Sequence, residues 1–247
     1  MPKLSIVVPV YNEEMELPRL IERFMKAPCP IEREWIFLDD CSTDSSRQIL
    51  EALSVQYHFK VLEQGINRGK GAAVIRGIQE ATGDIIMVQD ADFEYDPSEI
   101  PLLLQPILDN RADVVFGSRF KHALPQIHHT FHYFVNRLLT VLSNLMSGLY
   151  LSDMETCYKV FRADLLQSMT LISSRFGIEV ELTACIAKTN ARISEIPISY
   201  HPRTRLQGKK INWKDGVAAL FHLIYFNWIR SRKDSFRELP SKYLPTS

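Results

Sequence analysis

Residues 83–97 read GDIIMVQDADFEYDP, and this stretch decides the fold class and the kind of site that the chain carries. An apolar run at residues 85–88 is followed closely by Asp90 and Asp92, two carboxylates one residue apart. Such a run is typical of a buried strand, and the ligands of open sheets bind where the strands end. Carboxylate oxygens suit a hard divalent cation, and Glu94 supplies a third carboxylate on the same loop. We therefore predict a metal site at Asp90, Asp92 and Glu94.

The position of the Asp-x-Asp pair is stronger evidence for a site than its presence alone. Aspartate makes up roughly 6% of an average chain, so such a pair arises by chance about once in a chain of this length. Here it closes the strongest apolar run of the sequence, and other predicted strands end in similar polar clusters. That placement favours a site over a chance occurrence.

Composition restricts the classes of function. The chain has 247 residues, enough for one α/β domain with a large core, and 29 basic residues balance 29 acidic ones. A formal net charge of zero argues against bulk nucleic-acid binding, which relies on a basic surface. The four cysteines form no C-x-x-C pair and no spacing typical of a zinc site, which predicts reduced cytosolic thiols.

The sequence shows no pattern typical of a targeting or membrane-spanning segment. An apolar, β-branched run at residues 4–8 follows directly on the first residues, without a basic leader or a cleavage site. No run of 18 apolar residues occurs. We therefore predict no signal peptide, no transmembrane helix and a cytoplasmic location.

The first half of the chain alternates between strand and helix patterns. Apolar, β-rich runs predict strands at residues 4–10, 34–38, 59–63, 85–89 and 114–117. Amphipathic or capped segments predict helices at residues 16–26, 42–53, 72–81 and 97–108. This alternation is typical of an α/β, Rossmann-like fold, with a mostly parallel twisted sheet, helices on both faces and right-handed crossovers.

After residue 119 the pattern becomes more helical. It predicts one or two amphipathic helices over 128–151, helices at 177–188 and 215–230, and strands at 158–161 and 192–200. The segment beyond Ser231 is polar and contains two prolines, so we expect a loosely ordered tail. We divide the chain into one domain at residues 1–225 and, at 226–247, the end of a C-terminal amphipathic helix with its polar tail.

Polar side chains collect at the carboxyl ends of the predicted strands, along the edge where the ligands of doubly wound sheets bind. They are Tyr11, Asn12, Glu13, Asp39, Asp40, Asn67, Lys70, Asp90 and Asp92. This mixture suits a nucleotide whose base and ribose are held by acceptors and whose diphosphate is held by a metal and a lysine. Neither a G-x-G-x-x-G nor a P-loop motif occurs, which disfavours a dinucleotide or P-loop site. The Gly69-Lys70-Gly71 segment could equally be a plain turn before a helix.

Five motifs give the chain a family resemblance. They are Pro9-Val10-Tyr11-Asn12-Glu13-Glu14, Asp39-Asp40-Cys41-Ser42-Thr43-Asp44, Asn67-Arg68-Gly69-Lys70-Gly71, Asp90-Ala91-Asp92 and Gly117-Ser118-Arg119. In order and spacing they resemble family 2 glycosyltransferases of the GT-A fold, and more narrowly those that transfer sugars to polyprenyl or dolichyl phosphate. The resemblance covers about residues 4–220. It implies metal-dependent, inverting transfer of a hexose from a nucleoside-diphosphate sugar, such as GDP-mannose, UDP-glucose or UDP-N-acetylglucosamine, to a polyprenyl phosphate.

The same resemblance implies roles for single residues. The nucleotide sugar would be bound by Pro9, Tyr11, Glu13, Asp39, Asp40, Asn67, Lys70, Asp90, Ala91 and Asp92. Within this set Lys70 would lie near the diphosphate, and Asp90 would contact the ribose or the metal. Asp92 and Glu94 would ligate Mg²⁺ or Mn²⁺.

Basic residues supply candidates for binding the phosphate groups. Residues 200–210 read YHPRTRLQGKK, where members of the resembled family carry a basic element that closes over the diphosphate and the lipid phosphate. A solvated basic loop is the alternative interpretation. Arg119 is a further candidate because a guanidinium binds phosphate oxygens bidentately. We predict catalytic roles for Asp92, Arg119, Arg203 and Lys209, and acceptor-side roles for Arg205 and Lys210.

Acidic residues are the other candidates for the acceptor side. Residues 153–159 read DMETCYK and lie where the resembled family often has an acidic residue near the acceptor, and Asp153 is the candidate there. On a later predicted helix, Glu179 is a better candidate than Glu181. A structural salt bridge is an equal alternative for both glutamates. The histidines at positions 128, 129 and 132 have no evident carboxylate partner, so we interpret them as polar positions of an interfacial helix rather than as a metal site.

Two apolar, aromatic segments predict contact with a membrane surface. Residues 131–151 and 217–229 have Arg137, Arg230 and Arg232 nearby, as interfacial helices do. Core packing and a homo-oligomer interface are the alternatives, and a membrane subunit is a further candidate partner. Together with the resemblance, this pattern predicts a peripheral protein at the inner face of the membrane.

Two other functions stay open at this point. The chain could transfer sugar to a soluble saccharide or protein, or it could be a non-catalytic subunit that binds nucleotide sugars. The intact Asp90-Ala91-Asp92-Phe93-Glu94 cluster disfavours the second of these. A dinucleotide-dependent oxidoreductase is disfavoured by the missing glycine motif.

Overall fold

One mixed sheet runs through the part of the chain that the computed structural model describes, which is residues 1–121, 130–175, 177–202 and 213–245. Its strands are β1 (Lys3–Val10), β2 (Glu32–Asp39), β3 (Lys60–Glu63), β4 (Ile85–Val88), β5 (Val114–Ser118), β6 (Lys159–Arg162) and β7 (Ile193–Pro197). They lie side by side in the order β3-β2-β1-β4-β6-β5-β7. The pairings are parallel except that β6 runs antiparallel to both β4 and β5. The prediction of a mostly parallel sheet is confirmed.

The helices formed by the described residues lie between these strands and after the last of them. They are α1 (Leu17–Lys26), α2 (Ser46–Tyr57), α3 (Lys70–Glu80), α4 (Ile100–Leu108), α5 (Thr130–Ser147), α6 (Ala163–Ser168), α7 (Ile178–Ala187), α8 (Trp213–Ile224) and α9 (Arg232–Ser235). A 3₁₀ turn at Pro97–Glu99 leads into α4, and a π-helical turn at Tyr225–Ile229 extends α8. The strand order reverses beside β1, so right-handed crossovers put α1 and α2 on one face and α3 on the other.

The two central strands are buried because helices cover both of their faces. Every residue of β4 is buried, and β1 is buried except at Lys3 and Pro9. Continuous apolar runs of this kind are typical of parallel strands between helix layers. Phe24 of α1 stacks on Trp35 of β2 with ring centroids 5.0 Å apart, which ties one helix layer to the sheet.

The carboxyl ends of β1, β2 and β4 lie next to one another where the strand order reverses. Val10 at the end of β1 pairs with Asp39 at the end of β2, so the two following loops start from one edge. Ligands of open α/β sheets bind at such a reversal. The fold therefore brings the loops at residues 11–16, 40–45 and 89–96 together.

Residues 232–245 pack against the domain, which corrects the expectation of a loosely ordered tail there. Phe236 is buried and pairs with Met169 in an isolated β-bridge, and Tyr243 is only 1% exposed. Both aromatic residues belong to the same apolar core as the sheet. The expectation was wrong because two buried rings anchor a segment that is otherwise polar.

A second, smaller core lies between α5, α7 and α8, where Leu139, Val180 and Leu223 are buried. The outward sides of α5 and α8 and of the following π-turn keep large apolar side chains in solvent, and we call these residues the apolar face. They are Phe134, Leu138, Val141, Leu145, Leu220, Phe221, Ile224, Trp228 and Ile229. Of the helices in the described ranges, none combines the length and the apolar composition needed to span a membrane.

Glu34 on β2 joins three parts of the chain at the amino ends of the central strands. Its carboxylate accepts hydrogen bonds from Lys3 Nζ at 2.8 Å, Ser5 Oγ at 2.5 Å and the backbone N–H of Thr82 at 2.8 Å. Burial raises the pKa of Glu34, but these hydrogen bonds outweigh it and lower the pKa from 4.5 to about 2.

We expect Glu34 to make the stability of the protein depend on pH in the acid range. Because its pKa is lower in the folded state, its contribution is complete above pH 4.5 and is lost as the pH falls toward 2. Urea unfolding of the protein and of Glu34→Gln, repeated from neutral to acid pH, should give a difference in free energy of unfolding that shrinks below pH 4.5. A difference that stays constant with pH would contradict this expectation.

Candidate active site

Lys70, the first residue of α3, joins the loop after β4 to helix α7. Its ammonium nitrogen lies 2.8 Å from Asp90 Oδ1 and 2.9 Å from Glu179 Oε1, and all three side chains are largely buried. Burial lowers the pKa of Lys70, but the charges of Asp90 and Glu179 outweigh it and hold the pKa well above its usual range. The structure therefore brings Lys70 and Asp90, both predicted to bind the donor, into one charged cluster with Glu179, which was predicted on the acceptor side.

The loop after Asp90 is held in shape by its own backbone and by a tyrosine that is distant in sequence. Asp92 Oδ1 accepts a hydrogen bond of 3.0 Å from the backbone N–H of Glu94. The hydroxyl of Tyr200 donates one of 2.7 Å to the Glu94 carboxylate, and Tyr200 pairs with Tyr95 in an isolated β-bridge. Burial, and then the charge of Glu94, raise the pKa of Tyr200, so its hydroxyl stays protonated and donates.

The carboxylates of this loop fit a hard divalent cation in their chemistry, but they do not form a complete site by themselves. Asp90 is bound by Lys70, and Glu94 is bound by Tyr200. In the four described ranges, no three Asp, Glu, His or Cys side chains are grouped so that they could hold a metal ion. The predicted trio of Asp90, Asp92 and Glu94 is therefore not assembled, and a metal here would take further oxygen ligands from a bound molecule.

The two aspartates at the end of β2 differ in their surroundings. The Asp40 carboxylate accepts hydrogen bonds from Gln64 Nε2 at 2.7 Å and from the backbone N–H groups of Arg68 and Gly69 at 2.8 and 2.7 Å. Asp40 therefore shapes the loop before α3. Asp39 is buried, and no described residue gives its Oδ1 a hydrogen bond. Because a buried acceptor without a donor is costly, Asp39 is the better candidate to bind a donor group of a ligand.

Pro9, Tyr11 and Glu13 lie half-buried at the same edge, at the end of β1 and in the loop after it. Asn12 between them adopts a left-handed conformation with a φ of 51°. Its backbone N–H donates to Ser42 Oγ at 3.0 Å, so the loop after β1 is joined to the loop after β2. The residues predicted to hold the base and ribose are thus neighbours.

Asn67 and Ala91 complete the set of residues predicted to bind the nucleotide sugar. Asn67 Nδ2 donates to the backbone carbonyl of Asp40 at 3.1 Å, so its amide supports the loop before α3. Ala91 is buried between Asp90 and Asp92. Both lie at the carboxyl edge of the sheet, and their predicted contacts with the nucleotide sugar stay predictions.

The glycine loop before α3 is more than a plain turn. Gly69 has a φ of +93°, and a Cβ at this position would lie 2.6 Å from the carbonyl oxygen of Ser174. The backbone N–H of Ala72 donates to that same oxygen at 3.0 Å. This close approach requires glycine, and it fixes the point at which Lys70 begins the helix.

Arg119, directly after β5, makes a buried, bidentate ion pair with Asp153. Its Nε lies 2.7 Å from Asp153 Oδ2, and its Nη2 lies 2.7 Å from Asp153 Oδ1. The Asp153 side chain is fully buried, whereas the guanidinium of Arg119 also lies over the ring of Tyr200, 5.1 Å from its centroid. Asp153 therefore pairs with Arg119 and holds its guanidinium in place, and its predicted acceptor-side role stays a prediction.

Glu179 and Glu181 lie two residues apart on α7 and contact different parts of the molecule. Glu179 belongs to the charged cluster with Lys70. Glu181 is fully buried, pairs with Arg230, and accepts a hydrogen bond of 2.8 Å from the backbone N–H of Ser173. Both glutamates therefore make the salt bridge that the sequence left open, Glu181 with Arg230 and Glu179 with Lys70. Glu179 is the one whose ion pair belongs to the charged cluster after β4.

The loop between Asp153 and β6, together with the first residue of β6, contains two ionisable residues, Glu155 and Lys159, to which the sequence assigned no separate role. Burial, and then the charge of Glu179, raise the pKa of Glu155 to about 7. Lys159 is 1% exposed, and its ammonium donates to backbone carbonyls of the same loop. Tyr200 was also missed as a partner of Glu94. No local pattern distinguishes these residues, because only the folded chain shows what buries them.

Several predicted residues lie outside the described part of the chain. They are Arg203, Arg205, Lys209 and Lys210, together with the histidines at positions 128 and 129. Their predicted roles stay predictions.

Curated relatives resemble most of this chain. A dolichol-phosphate mannosyltransferase of Pyrococcus furiosus is 28% identical over 220 residues, covering 85% of this chain and 60% of the relative. A low-salt glycan biosynthesis hexosyltransferase of Haloferax volcanii is 32% identical, covering 82% and 48%. An undecaprenyl-phosphate 4-deoxy-4-formamido-L-arabinose transferase of Salmonella choleraesuis is 28% identical, covering 90% and 66%. The chain thus spans from about half to just under two thirds of the length of these relatives.

Solved structures share the fold. A glucosyl-3-phosphoglycerate synthase from Mycobacterium tuberculosis, in complex with Mn²⁺, UDP and glucosyl-3-phosphoglycerate, matches with a TM-score of 0.68 over 93% of this chain and 81% of that one. Another mycobacterial protein matches with a TM-score of 0.70 over 93% and 76%. At 18% and 20% sequence identity, these matches establish a likeness of fold.

The family model for glycosyl transferase family 2 matches residues 5–170, which is about two thirds of the chain. The matched range includes Asp39, Lys70, Asp90 and Asp92, which lie along the carboxyl edge of the sheet. The curated relatives are themselves named as sugar transferases. This protein therefore belongs to glycosyl transferase family 2.

Proposed function

We propose that the protein transfers a hexose from a nucleoside-diphosphate sugar to a polyprenyl phosphate at a membrane surface. The observation that carries this proposal is the charged cluster of Lys70, Asp90 and Glu179 beside Asp92, at the reversal point of the sheet. Two curated relatives are named for sugar transfer to dolichol phosphate and undecaprenyl phosphate, which supports a lipid phosphate as acceptor. GDP-mannose and UDP-sugars are both candidate donors.

The nucleotide end of the donor would lie between the ends of β1 and β2. Asp39 has a buried acceptor oxygen to which no described residue donates, and a nucleobase has N–H groups that can supply the missing hydrogen bond. Tyr11 and Glu13 are half-buried beside it and would border the base and ribose. Asp40 would contribute indirectly, because its carboxylate holds the loop before α3 in shape.

The diphosphate would lie over the end of β4. Asp92 and Asp90 would hold Mg²⁺ or Mn²⁺, with diphosphate oxygens as further ligands. When bound, such an ion neutralises the charge of a departing diphosphate. Lys70 adds a positive charge on the same side and orients the Asp90 carboxylate. The mycobacterial synthase of the same fold binds Mn²⁺ and UDP, which supports this arrangement.

The acceptor side needs positioning more than proton transfer. A phosphate acceptor is already an oxyanion at neutral pH, so no strong general base is required. Arg119, whose guanidinium is oriented by Asp153, would bind phosphate oxygens together with Arg203 and Lys209. Attack from the side opposite the departing diphosphate would invert the anomeric carbon.

The apolar face supports a membrane surface as the place of reaction. Phe134, Phe221 and Trp228 are between 65% and 69% exposed on neighbouring helical segments. Arg232 and Lys233 follow them and are exposed. Apolar side chains bordered by cations are typical of helices that lie in a lipid interface, which is also where a polyprenyl phosphate presents its headgroup. We place this face on the inner leaflet of the membrane.

We expect the apolar face to bind vesicles that contain phosphatidylglycerol. Replacing Phe221 and Trp228 together by serine should weaken binding about tenfold or more, because each substitution removes apolar surface that would be buried in the lipid. Cosedimentation with vesicles measures the binding, and Val55→Ser on α2, where Val55 is 76% exposed, is the matched control. The control should bind as the parent does. Equal binding by all three proteins, or none by the parent, would count against the membrane and favour an interface between copies of the chain.

A thermal-shift screen tests whether the protein binds a nucleotide sugar. A ligand that binds only the folded state raises the midpoint of unfolding according to its concentration and Kd. GDP, GDP-mannose, UDP and UDP-glucose would each be added with and without Mn²⁺. We expect the nucleotides of one base to raise the midpoint, and to raise it further when Mn²⁺ is present. Unchanged midpoints with all four compounds would contradict the proposed function.

A further inference from the structure

The loop at residues 153–158, which we call the β6 loop, is fixed across the site at three points. Its first residue, Asp153, is held by the buried ion pair with Arg119, which follows β5. The backbone N–H of Cys157 donates to Tyr95 Oη at 3.1 Å, and the Tyr158 hydroxyl donates to Gln89 Oε1 at 2.6 Å. Gln89 and Tyr95 flank the carboxylate loop after β4, so the middle of the β6 loop lies beside that carboxylate loop.

Two neighbouring side chains of the β6 loop have buried polar atoms without partners. Within the ranges that the structure describes, Glu155 Oε1 and Thr156 Oγ1 have no hydrogen-bond partner. Lys159 donates instead to the carbonyls of Met154 and Thr156, on either side of Glu155. Buried polar atoms are almost always hydrogen-bonded, so two adjacent exceptions indicate that a ligand supplies the missing bonds.

The charges around Glu155 restrict what that ligand can be. Burial is the largest influence on its carboxyl group; Glu179 and Asp153 also oppose ionisation, whereas Lys159 and Arg119 favour it. With a pKa raised to about 7, the group exists in both protonation states near neutral pH. It can therefore donate or accept a hydrogen bond, as a ligand with hydroxyl groups requires.

We propose that Glu155 and Thr156 line the subsite for the hexose of the donor, with the Glu155 carboxyl group hydrogen-bonded to hydroxyls of the sugar ring. A neutral polyhydroxyl ring fits better than an anion, which would meet the carboxylates of Glu155 and Glu179. The hexose is joined to a diphosphate at the end of β4, and the β6 loop is fixed to the residues that flank that end. This role depends on the proposed function and adds to it the residue that selects the sugar.

Calorimetric titrations of a nucleoside diphosphate and of its sugar derivative separate this subsite from the rest of the donor site. UDP, UDP-glucose, GDP and GDP-mannose would be titrated, with Mn²⁺ present, into the parent, Glu155→Ala and Glu155→Gln. We expect Glu155→Ala to weaken binding of the sugar nucleotide about 10- to 100-fold and to change the Kd of the nucleoside diphosphate less than about twofold. Glu155→Gln can still donate and accept, so it should lose less, and its affinity should not vary with pH near neutrality.

Glu80→Gln is the matched control, because Glu80 lies at the far end of α3 and pairs there with Lys60. Thermal unfolding shows whether each variant is folded. If Glu155→Ala does not fold, the test rests on the isosteric Glu155→Gln, through its affinity for the sugar nucleotide and the dependence of that affinity on pH. Unchanged affinity for the sugar nucleotide in the Glu155 variants would overturn the subsite, and so would an equal loss for the nucleoside diphosphate. A parent that binds none of the four nucleotides would instead overturn the proposed function.

Discussion

Asp92→Asn should lower the rate of sugar transfer by about 10²- to 10³-fold or more. Asp92 follows the buried strand β4, and its Oδ1 is oriented by the backbone N–H of Glu94. An amide in its place keeps that hydrogen bond but loses the negative charge that would bind a divalent cation. Rates measured over a range of Mn²⁺ concentrations should show both the loss of transfer and a weaker dependence on the metal.

Asp84→Asn is the control for this variant. Asp84 precedes β4 at the opposite end, and the one described hydrogen bond of its carboxylate is an exposed one of 2.9 Å from the backbone N–H of Lys3. It should transfer sugar at the parent rate. An Asp92→Asn protein that keeps full, metal-dependent transfer would refute the assignment of Asp92 to the metal and diphosphate.

Asp153→Asn should lower the free energy of unfolding by about 3–5 kcal/mol, because it leaves the buried guanidinium of Arg119 without an opposite charge. The side chains of this pair are 0% and 7% exposed, and they share two bonds of 2.7 Å. Urea unfolding measures the change. At temperatures where the variant stays folded, a less well oriented Arg119 should also raise the KM for the lipid phosphate.

An exposed ion pair provides the comparison. Asp109 binds Arg111 at 2.7 Å, but their side chains are 38% and 66% exposed. Asp109→Asn should leave the urea midpoint unchanged, because exposed pairs contribute little. If Asp153→Asn unfolds at the same urea concentration as the parent, the buried pair does not have the structural role described here.

The sequence predicted the layout of the sheet well because buried strands and their loops leave local patterns. The run at residues 85–88 is β4, and the alternation of strands and helices gave the mostly parallel order around it. The antiparallel direction of β6 could not be predicted, because its pairs, such as Ile86 with Phe161, join parts of the chain far apart in sequence. The packed C-terminal segment was missed for the same reason, since Phe236 pairs with Met169.

The site shows the same division between local and distant information. Lys70 and Asp90 were predicted at one edge because each follows a strand, and the structure joins them at 2.8 Å. The bond between Glu94 and Tyr200 spans 106 positions, and no pattern around either residue indicates it. Asp39 and Asp40 look alike in sequence. The structure distinguishes them: Asp39 has a buried oxygen that a ligand could bind, whereas Asp40 accepts hydrogen bonds from the loop before α3 and supports it.

Transfer of radiolabelled hexose into the lipid phase decides whether a polyprenyl phosphate is the acceptor. The protein would be incubated with the donor chosen by the thermal-shift screen, Mn²⁺, and either undecaprenyl phosphate in vesicles or free saccharides, and the label would then be partitioned between organic and aqueous phases. We predict label in the organic phase only with the lipid phosphate, and almost none with Asp92→Asn. Transfer of the label to the free saccharides would contradict a lipid phosphate as acceptor. So would label that stays on the donor although the protein binds that donor.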